Sequence, residues 1–393
     1  MKPFAIRATT AEVSAIKRIA AEAKKTPGAI SLSQGIPSFS TPEHIRKGVA
    51  QALLDDEPGI GKYSVYMGTP ELRTAIAQKL TKQWNKTVVP EELFVSAGGM
   101  EGLLASILAL VNPGEEAIVP SPDYGPHFQH LHLADAKVVL VPLDEQNDWS
   151  WDPKKVEVAI TAKTKLLLLT NPGNPAGNVL SKRNLEELAA IAKKHDLWVL
   201  VDETYDYLTY DDIPFTSAAT IPDFDSRLII SRTFSKEYAM TGWRLGFIYS
   251  SKEVIDEALK MHDPMVIAAA TPSQKAGLIA LTGDQSVVTD MVADLEKRRN
   301  LFCGLLDSLK PHLTYIRPKG AYYVFARVSK ELMKRFGPTS EEFAFRMLRE
   351  AKVAAVAGSE FKPEKDEYIR FSFAGEEEEM KEAVRRIKEW INK

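Results

Sequence analysis

The sequence contains a single cysteine, Cys303, which excludes an intrachain disulfide and a multi-cysteine metal site. No basic tract stands out, and the formal net charge of −3 over 393 residues gives no general attraction to nucleic acid or to an anionic membrane. No apolar run approaches membrane-spanning length, and the amino terminus lacks the unbroken apolar stretch of a secretion signal. We therefore expect a cytoplasmic protein with no metal, nucleic-acid or membrane partner.

The composition is that of a folded protein, with 45% hydrophobic and 26% charged residues. Apolar runs typical of buried strands alternate with helical patterns along the chain. This alternation predicts an α/β fold with a mostly parallel, seven-stranded sheet flanked by helices. The seven predicted strands lie near residues 93–96, 116–120, 137–142, 165–170, 197–201, 228–231 and 245–249.

The carboxyl-terminal part of the chain follows a different pattern. Apolar residues at helical spacing predict a long amphipathic helix from 287 to 309, and later segments predict strands at 321–326 and 368–373. We interpret this part, together with the first segment of the chain, as a smaller α+β domain. The predicted limits are 46–286 for the large domain and 1–45 plus 287–393 for the small one.

The most informative stretch for chemistry runs from Ser231 to Gly246. It places Lys236 in a turn of small residues and Arg244 eight positions later. A lysine that neighbouring cations and burial keep partly deprotonated can form an imine with an aldehyde cofactor, while an arginine holds an anionic group. Taken alone, the two residues are better explained as solvated charges, so the hypothesis needs support from elsewhere in the chain.

Two predicted strands upstream supply that support. The run from 165 ends at Asn174 in a Pro- and Gly-rich turn, and the next ends at Asp202 and Tyr205. Ligands of open α/β sheets bind outside the carboxyl ends of the strands, so these side chains are expected to converge with Lys236. Considered one at a time, Asn174 would be a turn residue, Asp202 a helix N-cap and Tyr205 a core aromatic.

A strand, a glycine pair and a helix follow one another around Gly98 and Gly99. Exposed amides at such a helix start bind anions, although a plain packing turn has the same pattern. A dinucleotide-binding fingerprint is excluded because no third glycine follows at the required offset.

With these motifs the chain resembles, over nearly its whole length, the fold-type I, pyridoxal-phosphate-dependent aminotransferases of the aspartate and aromatic class. The resemblance implies that Lys236, Asp202 and Tyr205 act in catalysis. Lys236 would be the Schiff-base lysine and proton shuttle, and Asp202 would keep the pyridine nitrogen protonated. Asn174 and Tyr205 would hydrogen-bond the phenolic oxygen of the cofactor, and Tyr124 would stack on its ring.

The resemblance also assigns residues to the phosphate of the cofactor. Gly98, Gly99 and Met100 form the start of the binding helix, and Thr233 and Arg244 are the side-chain ligands. Tyr63 matches a tyrosine that reaches the phosphate of the neighbouring subunit, which implies a homodimer. Tyr66 lies close in sequence, and only the spacing favours Tyr63.

Arg370 matches the arginine that binds the α-carboxylate of the substrate, with Asn174 and the backbone of Gly35 as supporting contacts. In the alternating segment around it, Ile369 and Phe371 share one face and Arg370 lies on the other. An ordinary solvated strand face would show the same alternation. One departure from the family pattern is Ala176, where threonine is usual.

The expected activity is transfer of an amino group from an L-amino acid to a 2-oxo acid such as 2-oxoglutarate, by a ping-pong mechanism. Met100 stands where some relatives that act on acidic substrates have a lysine, which favours aromatic or aliphatic donors. Three alternatives remain open: a carbon–sulfur lyase with the same cofactor, an aspartate-specific aminotransferase, and a non-catalytic ligand-binding protein. The presence of Lys236 and Asp202 argues against the last.

Overall fold

The computed structural model describes residues 2–393. Within these residues lie thirteen strands, which in chain order are β1 (Ile30–Ser31), β2 (Leu93–Ser96), β3 (Glu116–Ser121), β4 (Lys137–Pro142), β5 (Thr164–Thr170), β6 (Trp198–Asp202), β7 (Leu228–Thr233), β8 (Gly246–Tyr249), β9 (Leu313–Tyr315), β10 (Tyr323–Val328), β11 (Val353–Ala354), β12 (Val356–Ala357) and β13 (Tyr368–Ser372).

The same part of the chain forms fifteen α-helices, which are α1 (Ile6–Thr9), α2 (Ala15–Lys25), α3 (Glu43–Leu54), α4 (Pro70–Trp84), α5 (Gly99–Leu110), α6 (Gly125–Leu133), α7 (Pro153–Ala159), α8 (Lys182–His195), α9 (Phe234–Glu237), α10 (Lys252–Val266), α11 (Thr271–Thr282), α12 (Ser286–Asp307), α13 (Lys330–Phe336), α14 (Ser340–Ala351) and α15 (Glu377–Ile391). Short 3-10 helices cover Pro90–Glu92, Glu145–Asn147, Ala218–Thr220, Pro222–Arg227, Thr241–Trp243 and Gly358–Phe361.

The predicted seven-stranded sheet is confirmed. Its strands lie in the order β2-β8-β7-β6-β5-β3-β4. Strand β8 is antiparallel to both of its neighbours, and every other neighbouring pair is parallel. Because helical crossovers must connect parallel strands, the carboxyl ends of β5, β6 and β7 lie at one edge of the sheet.

Helices cover both faces of this sheet, which explains why its strands are apolar along their whole length. Leu166 and Leu168 of β5 pack in a cluster with α5, α6 and α10. Their neighbours Leu167 and Leu169 point to the opposite face and pack in a cluster with α4, α8 and α11. A buried strand thus needs large apolar residues at consecutive positions, since successive side chains serve different cores.

A second region combines both ends of the chain. Strands β12, β13, β10 and β9 form an antiparallel sheet, and β1 pairs with β11 in parallel, with Ile30 opposite Val353. Helices α12, α14 and α15 contribute Phe302, Met347 and Trp390 to a common core with these strands. The helix predicted at 287–309 is confirmed as α12, whereas the domain limits stay a prediction.

No helix in the described part of the chain is both long and apolar enough to cross a membrane.

Candidate active site

A cavity of about 230 Å³ lies at the carboxyl ends of β5, β6 and β7, and we call it the strand-end cavity. Parallel strands end at one edge of a sheet, so the polar residues that follow them meet there although they are far apart in sequence. The sequence-predicted residues that line it are Gly35, Gly99, Met100, Tyr124, Asn174, Asp202, Tyr205, Thr233, Lys236, Arg244 and Arg370.

Two predicted residues do not line the strand-end cavity. Gly98 lies directly behind it, and a Cβ atom added there would be 2.4 Å from Nη2 of Arg244. Tyr63 is on the surface of this subunit, with 83% of the residue exposed, and Tyr66 is 46% exposed. The exposed position of Tyr63 is compatible with a contact to a second subunit, which stays a prediction.

Lys236 is held in the cavity by the helix-like turn α9. Thr233 caps this turn, since its Oγ1 accepts a hydrogen bond from the backbone N of Ser235 at 3.1 Å. The Nζ atom of Lys236 donates to the backbone oxygen of Gly35 at 2.6 Å. Burial, followed by the positive charges of Arg370 and Arg244, lowers the pKa of Lys236 to about 8. A sizeable fraction of this amine is therefore neutral, and nucleophilic, near physiological pH.

Asp202 is buried at the end of β6 and is fixed by its own turn. Its Oδ1 accepts hydrogen bonds from the backbone N of Thr204 at 3.1 Å and from the hydroxyl of Thr204 at 2.6 Å. Its Oδ2 lies 3.6 Å from Nε2 of His127, which is within ion-pair range but too long for a hydrogen bond. These contacts fix the carboxyl group of Asp202 in the wall of the cavity.

His127 is a site residue that the sequence reasoning missed. Its Nδ1 lies 2.7 Å from Oδ2 of Asp123, and Oδ1 of Asp123 accepts from the hydroxyl of Thr170 at 2.9 Å. Burial opposes a charge on His127, but Asp123 and Asp202 outweigh it and raise its pKa to about 9. A charged imidazole thus lies behind Asp202. The available signal was the spacing of four residues between Asp123 and His127.

Tyrosines form the wall around the lysine. The hydroxyls of Tyr205 and Tyr323 are 2.8 Å apart, and the hydroxyl of Tyr322 donates to the backbone oxygen of Gly35 at 2.9 Å. A Cβ atom on Gly35 would lie 2.0 Å from the Tyr323 hydroxyl, so this wall requires glycine at position 35. Tyr323 was also missed from the sequence, because nothing in its strand distinguishes it from a core aromatic.

Arg370 is not on a solvated strand face, because only 1% of the residue is exposed. Its Nη1 donates to Oδ1 of Asn174 at 3.1 Å and its Nη2 donates to the backbone oxygen of Ser33 at 2.6 Å. The guanidinium lies 4.3 Å from the ring centroid of Tyr323. Among the described residues its Nε has no hydrogen-bond partner. A buried arginine with an unused donor is a suitable site for a carboxylate.

The opposite end of the cavity has the properties of a phosphate site. Helix α5 begins at Gly99, and Gly98 before it has a φ of +82°, which a residue with a side chain rarely adopts. Thr233, Ser235 and Arg244 line this end with two hydroxyls and a guanidinium. The amides of a helix start, hydroxyls and an arginine are the donors that bind phosphate groups in proteins. An aldehyde cofactor that carries a phosphate therefore fits the residues present.

Comparison with known proteins points to the same family as the sequence motifs. The sequence matches the family model of aminotransferases of class I and II over residues 27–387. This range contains every site residue predicted from the sequence.

Individual relatives match over almost their whole length. An aspartate aminotransferase from Pyrococcus abyssi (strain GE5 / Orsay) is 38% identical over 361 residues, which cover 91% of this chain and 90% of that protein. The aromatic-amino-acid aminotransferase 2 of Thermococcus litoralis is 35% identical over 377 residues, which cover 95% and 94%. The structure of an aspartate aminotransferase from Thermotoga maritima superposes with a TM-score of 0.90 at 31% identity and covers 99% of this chain and 100% of that one.

Proposed function

This chain belongs to the class I and II aminotransferases, which use pyridoxal phosphate, and on that basis we propose that it moves an amino group from an L-amino acid with a neutral side chain to a 2-oxo acid such as 2-oxoglutarate. The observation that carries the proposal is one cavity whose lining combines a buried lysine with a lowered pKa, Asp202 and two arginines. We assign each residue a role from these contacts.

Pyridoxal phosphate, when bound, supplies an aldehyde carbon and a pyridine ring that accepts an electron pair from the substrate. Gly98, Gly99, Thr233 and Arg244 would hold its phosphate. Asp202, fixed by Thr204 and backed by charged His127, would keep a proton on the ring nitrogen. This arrangement lets the protein stabilise the charge that develops during the reaction.

Lys236 would tether the cofactor and then, once the substrate amine has released it, carry a proton at the substrate α-carbon. A positioned base of this kind contributes roughly 10²–10⁴-fold to the rate. Arg370 would bind the α-carboxylate and fix the orientation of the bond to be broken. Donor and acceptor share the α-carboxylate, so both would use Arg370 in turn, as a ping-pong mechanism requires.

The lining of the cavity supports a neutral donor. Ile16, Ile36, Met100 and Leu103 contribute apolar surface. Among the described residues that line it, the cationic side chains are Lys236, Arg244 and Arg370, and each already has a role. A second carboxylate on the donor would therefore find no free cation in this subunit.

The test is the absorbance of the bound cofactor after addition of single amino acids. We expect aromatic and aliphatic donors to convert the cofactor stoichiometrically without an oxo acid, and turnover to require both substrates. Lys236→Ala should abolish this conversion, whereas Lys79→Ala, in a partly buried ion pair outside the cavity, should retain it. Continuous ammonia release without an oxo acid would instead show a lyase, and strict dependence on aspartate would contradict the donor preference.

We also propose that the active unit is a homodimer in which Tyr63 reaches the phosphate bound by the partner subunit. Its support is the exposure of Tyr63 despite its aromatic ring. Mixing Lys236→Ala subunits with Tyr63→Ala subunits tests this idea, because a mixed dimer would contain one site with both residues intact. Activity should recover on mixing, and no recovery after verified subunit exchange would contradict the proposal.

A further inference from the structure

The ring of Tyr323 contacts the arginine that is proposed to bind the substrate carboxylate. Tyr323 lies on β10 opposite Ser372 of β13, which makes Arg370 its diagonal neighbour on the same face of the sheet. The guanidinium of Arg370 lies 4.3 Å from the ring centroid of Tyr323 and 5.0 Å from that of Phe361. Aromatic rings attract a guanidinium in this position, so the two rings hold it in place.

The hydroxyl of Tyr323 contacts a different part of the site. It lies 2.8 Å from the hydroxyl of Tyr205. A Cβ atom on Gly35 would lie 2.0 Å from it, so the backbone of Gly35 packs directly against this hydroxyl. Tyr323 is only 2% exposed and lines the strand-end cavity. Close packing therefore fixes the hydroxyl oxygen beside Tyr205.

The direction of the hydrogen bond between the two tyrosines follows from the role of Tyr205. If Tyr205 donates its only hydrogen to the phenolic oxygen of the cofactor, Tyr323 has to donate to Tyr205. Burial raises the pKa of both phenols, and Arg370 opposes this rise at Tyr323, so both keep their hydrogens near pH 7. Hydrogen bonds in a chain strengthen one another, which makes Tyr205 a stronger donor. The other titratable groups around the pair are Tyr322, Asp202, Tyr124 and Lys236.

From this geometry we propose that Tyr323 is a positioning residue with two separate effects. Its ring holds the guanidinium of Arg370 in place for the substrate carboxylate, and its hydroxyl strengthens the hydrogen bond from Tyr205 to the cofactor. The inference rests on the proposed function, because it concerns the same cavity. Tyrosine supplies an aromatic face and a hydroxyl, whereas phenylalanine supplies only the face. Substitution can therefore separate the two effects.

Tyr323→Phe removes the hydroxyl and keeps the ring. The first measurement is the pH midpoint of the absorbance of bound pyridoxal phosphate. A weaker hydrogen bond leaves more negative charge on the phenolic oxygen, so the bound cofactor should lose its proton at a pH about half a unit higher. The second measurement is the binding of 3-phenylpropanoate, a carboxylate with no amino group to react. Its affinity should change by about twofold or less, because the ring that contacts Arg370 remains.

Tyr323→Leu removes the hydroxyl and the aromatic ring together. The pH midpoint should rise as it does in Tyr323→Phe. In addition, binding of 3-phenylpropanoate should weaken by roughly threefold to tenfold, because the guanidinium of Arg370 loses one of its two aromatic contacts. A carboxylate affinity equal to that of the unmodified protein would overturn the effect proposed for the ring.

Tyr210 provides matched controls outside the strand-end cavity. Its ring centroid lies 4.6 Å from the guanidinium of Arg299, and its hydroxyl donates to the backbone oxygen of Ala321 at 2.5 Å. Tyr210→Phe and Tyr210→Leu should therefore leave both measurements unchanged. An unchanged pH midpoint in Tyr323→Phe, or equal shifts in the Tyr210 variants, would contradict the proposal. Neither measurement requires turnover, so a protein that binds pyridoxal phosphate but converts no amino acid would refute only the proposed function.

Discussion

Neighbouring residues of the chain belong to two different buried clusters of charged side chains. Asp202 faces the strand-end cavity, whereas the next residue, Glu203, belongs to a cluster outside that cavity. The same division separates Lys236 from Glu237. Both clusters are buried and include residues from the same strands. They differ in whether their polar groups have partners within the protein.

The cluster around Arg232 satisfies its charges within the protein. Arg232 pairs with Glu203 at 2.7 Å and with Asp206 at 2.6 Å. Glu203 also accepts hydrogen bonds from the hydroxyl of Ser217 and the backbone N of Ala218, both at 2.9 Å. A buried charge without such partners costs several kcal/mol. The closed pairing indicates a contribution to the fold.

The cluster in the strand-end cavity leaves a donor unused. In the part of the chain that the structure describes, Nε of Arg370 has no hydrogen-bond partner. Lys236 has a lowered pKa because it is buried and because Arg370 and Arg244 lie nearby. Such a site is incomplete without anionic ligands, as a cofactor phosphate and a substrate carboxylate would be. Closed pairing thus distinguishes structural charge from charge that is available to a ligand.

The largest effect is expected where the closed cluster is broken. Arg232→Met leaves Glu203 and Asp206 buried without their cation, and should lower the free energy of unfolding by about 3–5 kcal/mol. Denaturant unfolding measures this change. Arg183→Met, in an exposed pair with Glu187, should have a far smaller effect, since solvent screens exposed pairs. Equal effects of the two variants would show that the closed cluster has no special role in stability.

Asp202→Asn is the corresponding change in the open cluster. We expect conversion of the cofactor by L-phenylalanine to slow by roughly 10²–10³-fold, since a preorganised charge is lost from the site. The free energy of unfolding should change less than in Arg232→Met. If Asp202→Asn instead unfolded as easily as Arg232→Met but converted the cofactor at the unmodified rate when folded, Asp202 would belong to the structural cluster.

Much of the fold could be predicted from the sequence because the signals are local. Each strand of the large sheet is a short apolar run, and the polar residues at its end follow directly in sequence. Asn174, Asp202 and Lys236 could therefore be placed at one edge of the sheet. The inference also used a general property of α/β folds, in which ligands bind outside the carboxyl ends of the strands.

The contacts that were missed join segments that are distant in sequence. Ser14 and Glu360 are separated by 346 positions, and their contact follows only from the three-dimensional fold. The burial of Arg370 was ambiguous, because a strand between two other strands and a solvated strand show the same alternation. His127 lies in a helix next to other histidines, and its pairing with Asp123 gave no signal distinct from helix packing.

The smallest predicted effect concerns the titration of Lys236 in the cofactor-free protein. Its pKa of about 8 lies below that of an ordinary lysine, so raising the pH through 8 should increase the rate at which it captures the cofactor aldehyde. Because the unfolded chain binds this proton more tightly, the cofactor-free protein should also gain stability as the pH rises from about 8 towards about 10.4.

Arg370→Leu should shift the pH midpoint of aldehyde capture upward by about one unit or less, since burial remains the main cause of the lowered pKa. Arg327→Leu, outside the cavity, should leave the midpoint unchanged. If the pH midpoint of aldehyde capture in the unmodified protein were near the pKa of an exposed lysine, the cluster in the strand-end cavity would not activate the amine of Lys236.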